Sequence, residues 1–282
     1  MNIFSLYGQQ QIRLMIYMVL CIFLMLTLSC GGENSDTNTK SSTSSSSVEP
    51  VKKIFTQIAN TESNVDFRNT LIDDPLDPAH NVMDNANYFS GGGTAIADFD
   101  NDGLSDIFFV GNEVQNKIYK NLGNFKFEDK TETANVNDNK GWGNGVTIVD
   151  INNDGFQDIY ICQSSSRLVY STAAPNALYV NNGNFTFTES AKEYGLDNRD
   201  LSHQASFFDY DRDGDLDCFI LNTSIYPGLP LNLVFEHLKA DKKNLEAASS
   251  KLYENSNGRF LDVTEKAGLL QMGFGLGLVI SD

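Results

Sequence analysis

The chain has few groups with which to hold an anion. Its 282 residues carry 20 Lys and Arg against 37 Asp and Glu, a formal net charge of −17 with a pI near 4.4. No basic stripe runs anywhere along it. A phosphate backbone calls for clustered cations, so nucleic acid is not expected among the partners. Histidine is scarce as well. His80, His203 and His237 show neither metal-ligand nor triad spacing, and His203, at the start of a strand, reads as a hydrogen-bonded structural residue. No Gly-x-Ser-x-Gly elbow, His-Glu-x-x-His or Walker loop occurs. The glycine-rich run at 141–145 leads into a strand rather than opening a helix, which argues against a phosphate cradle. These absences disfavour the common nucleophilic, zinc and nucleotide chemistries.

Long apolar runs are also lacking, with one exception. Arg13 precedes fifteen apolar residues from Leu14 to Leu28, and Ser29-Cys30-Gly31-Gly32 follows. A membrane span needs about 20 residues, whereas this length suits the core of an export signal. The small residue before Cys30 and the glycines after it resemble the lipobox of bacterial lipoproteins, in which the Cys becomes the acylated N-terminus. Residues 1–30 are therefore expected to be a lipoprotein signal, with Cys30 lipidated. An uncleaved N-terminal anchor is the alternative, and either places the mature part outside the cytoplasm. Residues 31–50, rich in Ser and Thr, form a polar tether too poor in apolar surface to order itself. The expected location is the cell envelope, as an outer-membrane lipoprotein held to the membrane by its lipid.

Aspartate, by contrast, is placed with regularity. Asp98-Phe-Asp-Asn-Asp-Gly-Leu-Ser-Asp106 puts acids at loop positions 1, 3, 5 and 9 and Gly103 at position 6. Alternate residues of a curled loop can aim oxygens at one centre, and glycine supplies the sharp turn. The pattern returns as Asp150-Ile-Asn-Asn-Asp-Gly-Phe-Gln-Asp158 and as Asp209-Tyr-Asp-Arg-Asp-Gly-Asp-Leu-Asp217. The three loops hold twelve of the 37 acidic side chains, which would repel strongly without a hard cation among them. Calcium is the natural candidate. Its expected ligands are Asp98, Asp100, Asp102 and Asp106 with the Leu104 carbonyl; Asp150, Asn152, Asp154 and Asp158 with Phe156; and Asp209, Asp211, Asp213 and Asp217 with Asp215. Phe109 stands where an EF-hand would carry Glu, and β-branched and aromatic residues follow, so each loop is read as joining two strands.

The loops belong to a larger repeat. A strand precedes each one: Gly91–Asp98, Gly143–Asp150 and Ser202–Asp209, with Gly275–Asp282 as a further copy. Leading acids lie 52, 59 and 73 residues apart. After each loop come an apolar strand (Ile107–Val110, Ile159–Cys162, Cys218–Leu221) and a third strand with a tight turn (Lys117–Gly123, Ala177–Gly183, Lys251–Gly258). A fourth strand begins at Phe125, Phe185 and Phe260. Asn-x-Gly before an alternating run is a hairpin signal. The unit is thus a four-stranded antiparallel sheet, which cannot cover its own apolar faces and is expected to stack radially as a propeller blade. Tyr119, Tyr179, Tyr253 and the paired Phe residues recur at the repeat spacing and read as core, whereas Trp142 is the aromatic to test for ligand contact. Cys162 and Cys218 fall at positions 13 and 10 from their leading acids, so equivalent strands point them to opposite sides. Free, buried thiols are expected even though export permits a disulfide.

The unit resembles the FG-GAP/VCBS repeat of integrin α propellers and many bacterial surface proteins. The order of lipobox, Ser-rich tether, Asn87–Asp100 and then repeats is similar to exported Bacteroidetes proteins of the ASPIC/UnbV group. The resemblance implies an all-β propeller over residues 51–282, with calcium at the loops and three blades plus the start of a fourth. It also implies further blades and an ASPIC/UnbV module beyond residue 282. Lys53–Glu62 resembles a fourth strand that would close such a ring, and 223–249 is an insertion in the third blade that could be helical from Leu233 to Ala248. Two functional classes follow. One is an adhesion or scaffold module that binds a glycan or surface protein without catalysis; the other is part of a polysaccharide-degrading, lyase-like system. The second needs a Lys/Arg/His/Tyr cluster that the sequence does not display.

Overall fold

The computed structural model describes residues 55–72, 74, 91–137, 141–164, 174–223, 231–273 and 275–281, without the side chains of 231, 235 and 237–239. Of Met1–Phe55 it describes only Phe55, which is exposed; the signal core, Cys30 and the tether lie outside the described residues. Thr56–Asp282 is one compact unit. Among the described residues no helix is long and apolar enough to cross a membrane.

Among the described residues the fold is all-β and propeller-like, with three four-stranded antiparallel sheets, each in simple sequence order. Blade 1 is β1 (Thr94–Ala97), β2 (Asp106–Phe109), β3 (Lys117–Asn121) and β4 (Phe127–Asp129). Blade 2 is β5 (Trp142–Val149), β6 (Asp158–Ser164), β7 (Ala177–Asn181) and β8 (Phe187–Glu189). Blade 3 is β9 (Ser202–Phe208), β10 (Asp217–Asn222), β11 (Lys251–Ser256) and β12 (Arg259–Asp262). Registers repeat from blade to blade: Ile107 opposes Tyr119, Ile159 opposes Tyr179, and Cys218 opposes Tyr253.

Side chains alternate across each strand, so a stacked blade buries both faces. In β6, Ile159 and Ile161 enter a core layer with Phe108, Val110 and Ile118 of blade 1. Tyr160 and Cys162, on its other face, join Ala205, Cys218 and Ile220 of blade 3. Fully burying such side chains contributes about 1.5–3 kcal/mol each. This geometry corrects the reasoning applied to the two thiols. They are free and buried as expected, but opposite faces of successive blades meet in one layer, so both lie in the same core. Tyr119, Tyr179 and Tyr253 are core residues. Trp142 is buried at the head of β5, with 8% of its surface exposed, which leaves little of it to meet a ligand.

Small residues let neighbouring inner strands approach. A Cβ on Gly145 would lie 2.2 Å from the His203 carbonyl oxygen, and nearby Asn144 Nδ2 and Thr147 Oγ1 donate to Ser202 O and Ala205 O, each at 2.8 Å. Gly145→Ala should therefore push blades 2 and 3 apart. The expected cost is about 1–3 kcal/mol of overpacking, read as a lowered urea midpoint with an unchanged slope.

After the fourth strands of blades 1 and 2 the chain makes one helical turn, α2 (Thr131–Ala134) and α3 (Ala191–Tyr194); α1 (Asn60–Ser63) is the same device ahead of blade 1. Asn64 and Asn135, both left-handed, donate to the Phe127 and Phe187 carbonyls of the following blade at 3.4 and 3.3 Å. Beyond α1, Phe67 stacks on Phe109 at 4.8 Å and Asp66 accepts from the Tyr119 hydroxyl at 2.7 Å. The strand expected over Lys53–Glu62 is not found. Lys53 and Ile54 lie outside the described residues, Phe55–Ala59 is irregular, and Asn60–Ser63 is helical. Gly275–Ser281 is likewise not a strand where it is described. The insertion is helical as expected. It forms α4 (Leu231–Ala240) and α5 (Lys242–Ala247), which break at Asp241, whose side chain caps Lys243 N at 2.9 Å.

Candidate metal centre

Each acidic loop joins the first and second strands of its blade, and the three are built alike. The position 1 carboxylate closes the turn: Asp98 accepts from Asp102 N and Gly103 N (3.1 and 2.8 Å), Asp150 from Asp154 N and Gly155 N (3.0 and 2.9 Å), and Asp209 from Asp213 N and Gly214 N (both 3.1 Å). The position 5 acid accepts from the position 7 amide, as in Leu104 N to Asp102 at 2.9 Å, Phe156 N to Asp154 at 2.9 Å and Asp215 N to Asp213 at 3.1 Å. Two residues of each turn are left-handed. Position 6 is Gly, at φ 87°, 87° and 97°, and position 4 is Asn101, Asn153 or Arg212, at 56°, 56° and 67°. Asn tolerates that region better than Arg. Arg212→Asn should stabilise the unit by up to about 1 kcal/mol, or about 2–4 °C in Tm.

The position 9 acid has a second occupation. Asp106 is fully buried and accepts from Phe99 N at 3.0 Å and Asn121 N at 2.7 Å. Asp158 does the same with Ile151 N and Asn181 N, and Asp217 with Tyr210 N and Asn255 N. It is thus a clamp between its own loop and the third strand. Burial pushes the carboxyls of Asp106 and Asp158 up to about 6 despite the two amide bonds that pull each down; Asp217 is raised for the same reason. Neighbouring loop carboxylates add to the rise.

Carboxylate oxygens of Asp98, Asp100 and Asp106 lie within 4.8 Å of one another, as do those of Asp209, Asp211 and Asp217. Asp100 Oδ1 and Asp215 Oδ1 are shielded from solvent and have no hydrogen-bond partner. The donors are oxygen throughout, the set preferred by hard cations such as calcium. In loop 2, Asn152 supplies a neutral oxygen at position 3, and its amide nitrogen donates to Asp154 at 2.9 Å.

Two parts of the site escaped sequence reasoning. The first is Asn121, Asn181 and Asn255, at or next to the ends of the third strands. Their amides donate to the position 8 carbonyls of Ser105, Gln157 and Leu216, at 2.7, 3.1 and 3.2 Å. The recurring Tyr-x-Asn was a visible signal for them. The second is Lys120 of β3, whose ammonium pairs with Asp100 and, at 3.0 Å, with Asp102, while lying 5.5 Å from the Phe185 ring centre. Its pKa is raised, chiefly by the bond to Asp100, and the same ammonium holds Asp102 low. Val180 and Glu254 occupy its place in the other blades, so the three loops differ in their built-in charge. His203 lies in β9, where burial depresses its pKa; His80 lies outside the described residues, as does the side chain of His237.

Residues 98–161 and 168–220 match the family model of the FG-GAP-like repeat. The first match opens on the leading acid of loop 1, and the second closes in β10, so together they take in all three loops. Over those two stretches the chain is similar to the FG-GAP-like repeat. No curated protein matches it.

Proposed function

We propose that this chain of FG-GAP-like repeats is a calcium-stabilised adhesion or scaffold module of the cell envelope. In this reading it is exported, anchored through a lipid on Cys30, and related to proteins of the ASPIC/UnbV group. It presents a rigid propeller face to a glycan or surface protein and performs no catalysis. FG-GAP-like repeats typically serve as binding modules, which supports the general class.

The observation that carries the calcium reading is the threefold recurrence of one loop geometry. In every copy position 1 is fixed by two amides and position 9 by two more, so acids are held close together against their own repulsion. Calcium would supply positive charge at the centre of each loop. Asp98, Asp100, Asp102, Asp106 and Leu104 would hold it in loop 1; Asp150, Asn152, Asp154, Asp158 and Phe156 in loop 2; and Asp209, Asp211, Asp213, Asp215 and Asp217 in loop 3. Affinities on the order of 10⁻⁴–10⁻³ M or tighter suffice outside the cell. Calcium titration of the chelator-stripped chain by calorimetry tests this. Three saturable sites are expected, and heats indistinguishable from dilution would sink the proposal.

A further inference from the structure

The two blade junctions differ at the loop end. Between blades 1 and 2 the loops are tied together: Asn101 Nδ2 donates to the Gly155 carbonyl at 3.1 Å and Asn181 Nδ2 to the Phe99 carbonyl at 2.8 Å. Between blades 2 and 3 neither tie is made. Asn153, the counterpart of Asn101, does not reach Gly214, and the Asn255 amide donates to Leu216 but not to Ile151. The junction opens instead into a cleft of about 600 Å³. That size falls within the range of small-ligand sites, about 300–1,000 Å³.

Its lining contains no Lys or Arg. Asn153 and Asn257 offer amides that both donate and accept, Glu193 and Asp215 offer acceptors, and half-buried Tyr194 adds a ring. Asp215 Oδ1 is shielded from water without a partner. Vicinal hydroxyls match paired amide and carboxylate groups, and the C–H face of a sugar ring packs on an aromatic side chain. Asp150 and Asn152 also line the cleft and are calcium ligands in the reading above; the carboxylates of Glu193 and Asp215, with no Lys or Arg beside them, repel anionic ligands. We infer that the cleft between blades 2 and 3 binds a neutral saccharide, with Asn153, Tyr194 and Asn257 as its contacts. This rests on the adhesion reading above and assigns it a site and a ligand class.

The full chain would be titrated with maltotriose, cellotriose, mannotriose and N,N′,N″-triacetylchitotriose, alongside polygalacturonate and a Lys-rich peptide. At least one neutral trisaccharide should bind, and Tyr194→Ala should weaken it about tenfold or more. Asn257→Gly should do likewise without disturbing the fold, because φ at 257 is 54°, a region that glycine adopts readily. Asn101→Ala, at the closed junction, should leave binding unchanged. Saccharide affinity unaltered by both cleft variants would overturn the assignment while leaving the adhesion reading in place. Binding of no neutral trisaccharide, or of the peptide alone in a manner sensitive to Asn257→Gly, would overturn the ligand class. Cleft-dependent binding in a chain that takes up no calcium would uphold this inference and remove only the metal proposal.

Discussion

Asp158→Ala is expected to destabilise the unit by about 3–5 kcal/mol in chelator, through loss of the clamp, and by more in calcium, where the loop 2 site is weakened as well. The carboxylate is buried and accepts Ile151 N at 2.9 Å and Asn181 N at 2.7 Å. Truncation leaves both amides inside the protein without acceptors, at about 1–3 kcal/mol apiece. Asn181 is also the residue that reaches Phe99 O of blade 1, so the loss should spread to the junction between blades. Chemical denaturation in both buffers separates the roles of this acid. A variant as stable as the parent in chelator would show that Asp158 serves a metal alone and that the clamp contributes nothing. Asp158→Asn should recover part of the loss, since one oxygen remains to accept while the amide NH₂ faces the other backbone donor.

Removing calcium is the second large perturbation. A ligand at a hundredfold excess over its Kd stabilises the folded state by about 2.7 kcal/mol per site. At about 2–4 °C per kcal/mol for a unit of this size, each occupied loop should raise Tm by about 5–10 °C. The sites should not be equal. Lys120 already places a positive charge against Asp100 and Asp102, whereas Val180 and the Lys266-paired Glu254, at the corresponding places, offer none to loops 2 and 3. Loop 1 should bind most weakly, and Lys120→Val should strengthen it. Differential scanning calorimetry of a chain stripped of metal provides the check, and a Tm indifferent to both calcium and chelator would contradict the proposal.

The pH response of the metal-free chain has a definite sign. Burial raises Asp106 and Asp158 to about 6, above the unfolded value of about 3.9. The folded state then binds more protons than the unfolded chain, so this contribution to stability is complete below about pH 4 and is lost as pH rises through about 6. Metal-free protein should therefore melt higher at pH 5 than at pH 7. In saturating calcium the order should reverse, because the cation favours the ionised carboxylates.

Much of this architecture could be read from the chain. Periodic acids, Gly-punctuated strands and Asn-x-Gly turns report local geometry, and local geometry is set by neighbouring residues. Those signals placed all three loops, the order of strands within each blade and the helical insertion close to where they occur. The Tyr-x-Asn recurrence lay in plain view but named no partner, because its bonds cross from one strand to the turn of another.

Amino-acid order by itself determined the repeat, the strand pattern and the clustering of carboxylates, since each depends on residues within a few positions of one another. Tertiary structure alone decided which faces meet. It brought Cys162 and Cys218 into one core layer, turned the position 9 acids into clamps, set Lys120 against loop 1 and left one junction tied while the next stands open. The clamps and Lys120 depend on strand pairing within one blade, whereas the cysteine layer and the junctions depend on how successive sheets stack, which brings together residues 50 or more positions apart, such as Asn101 with Gly155 and Asn181 with Phe99.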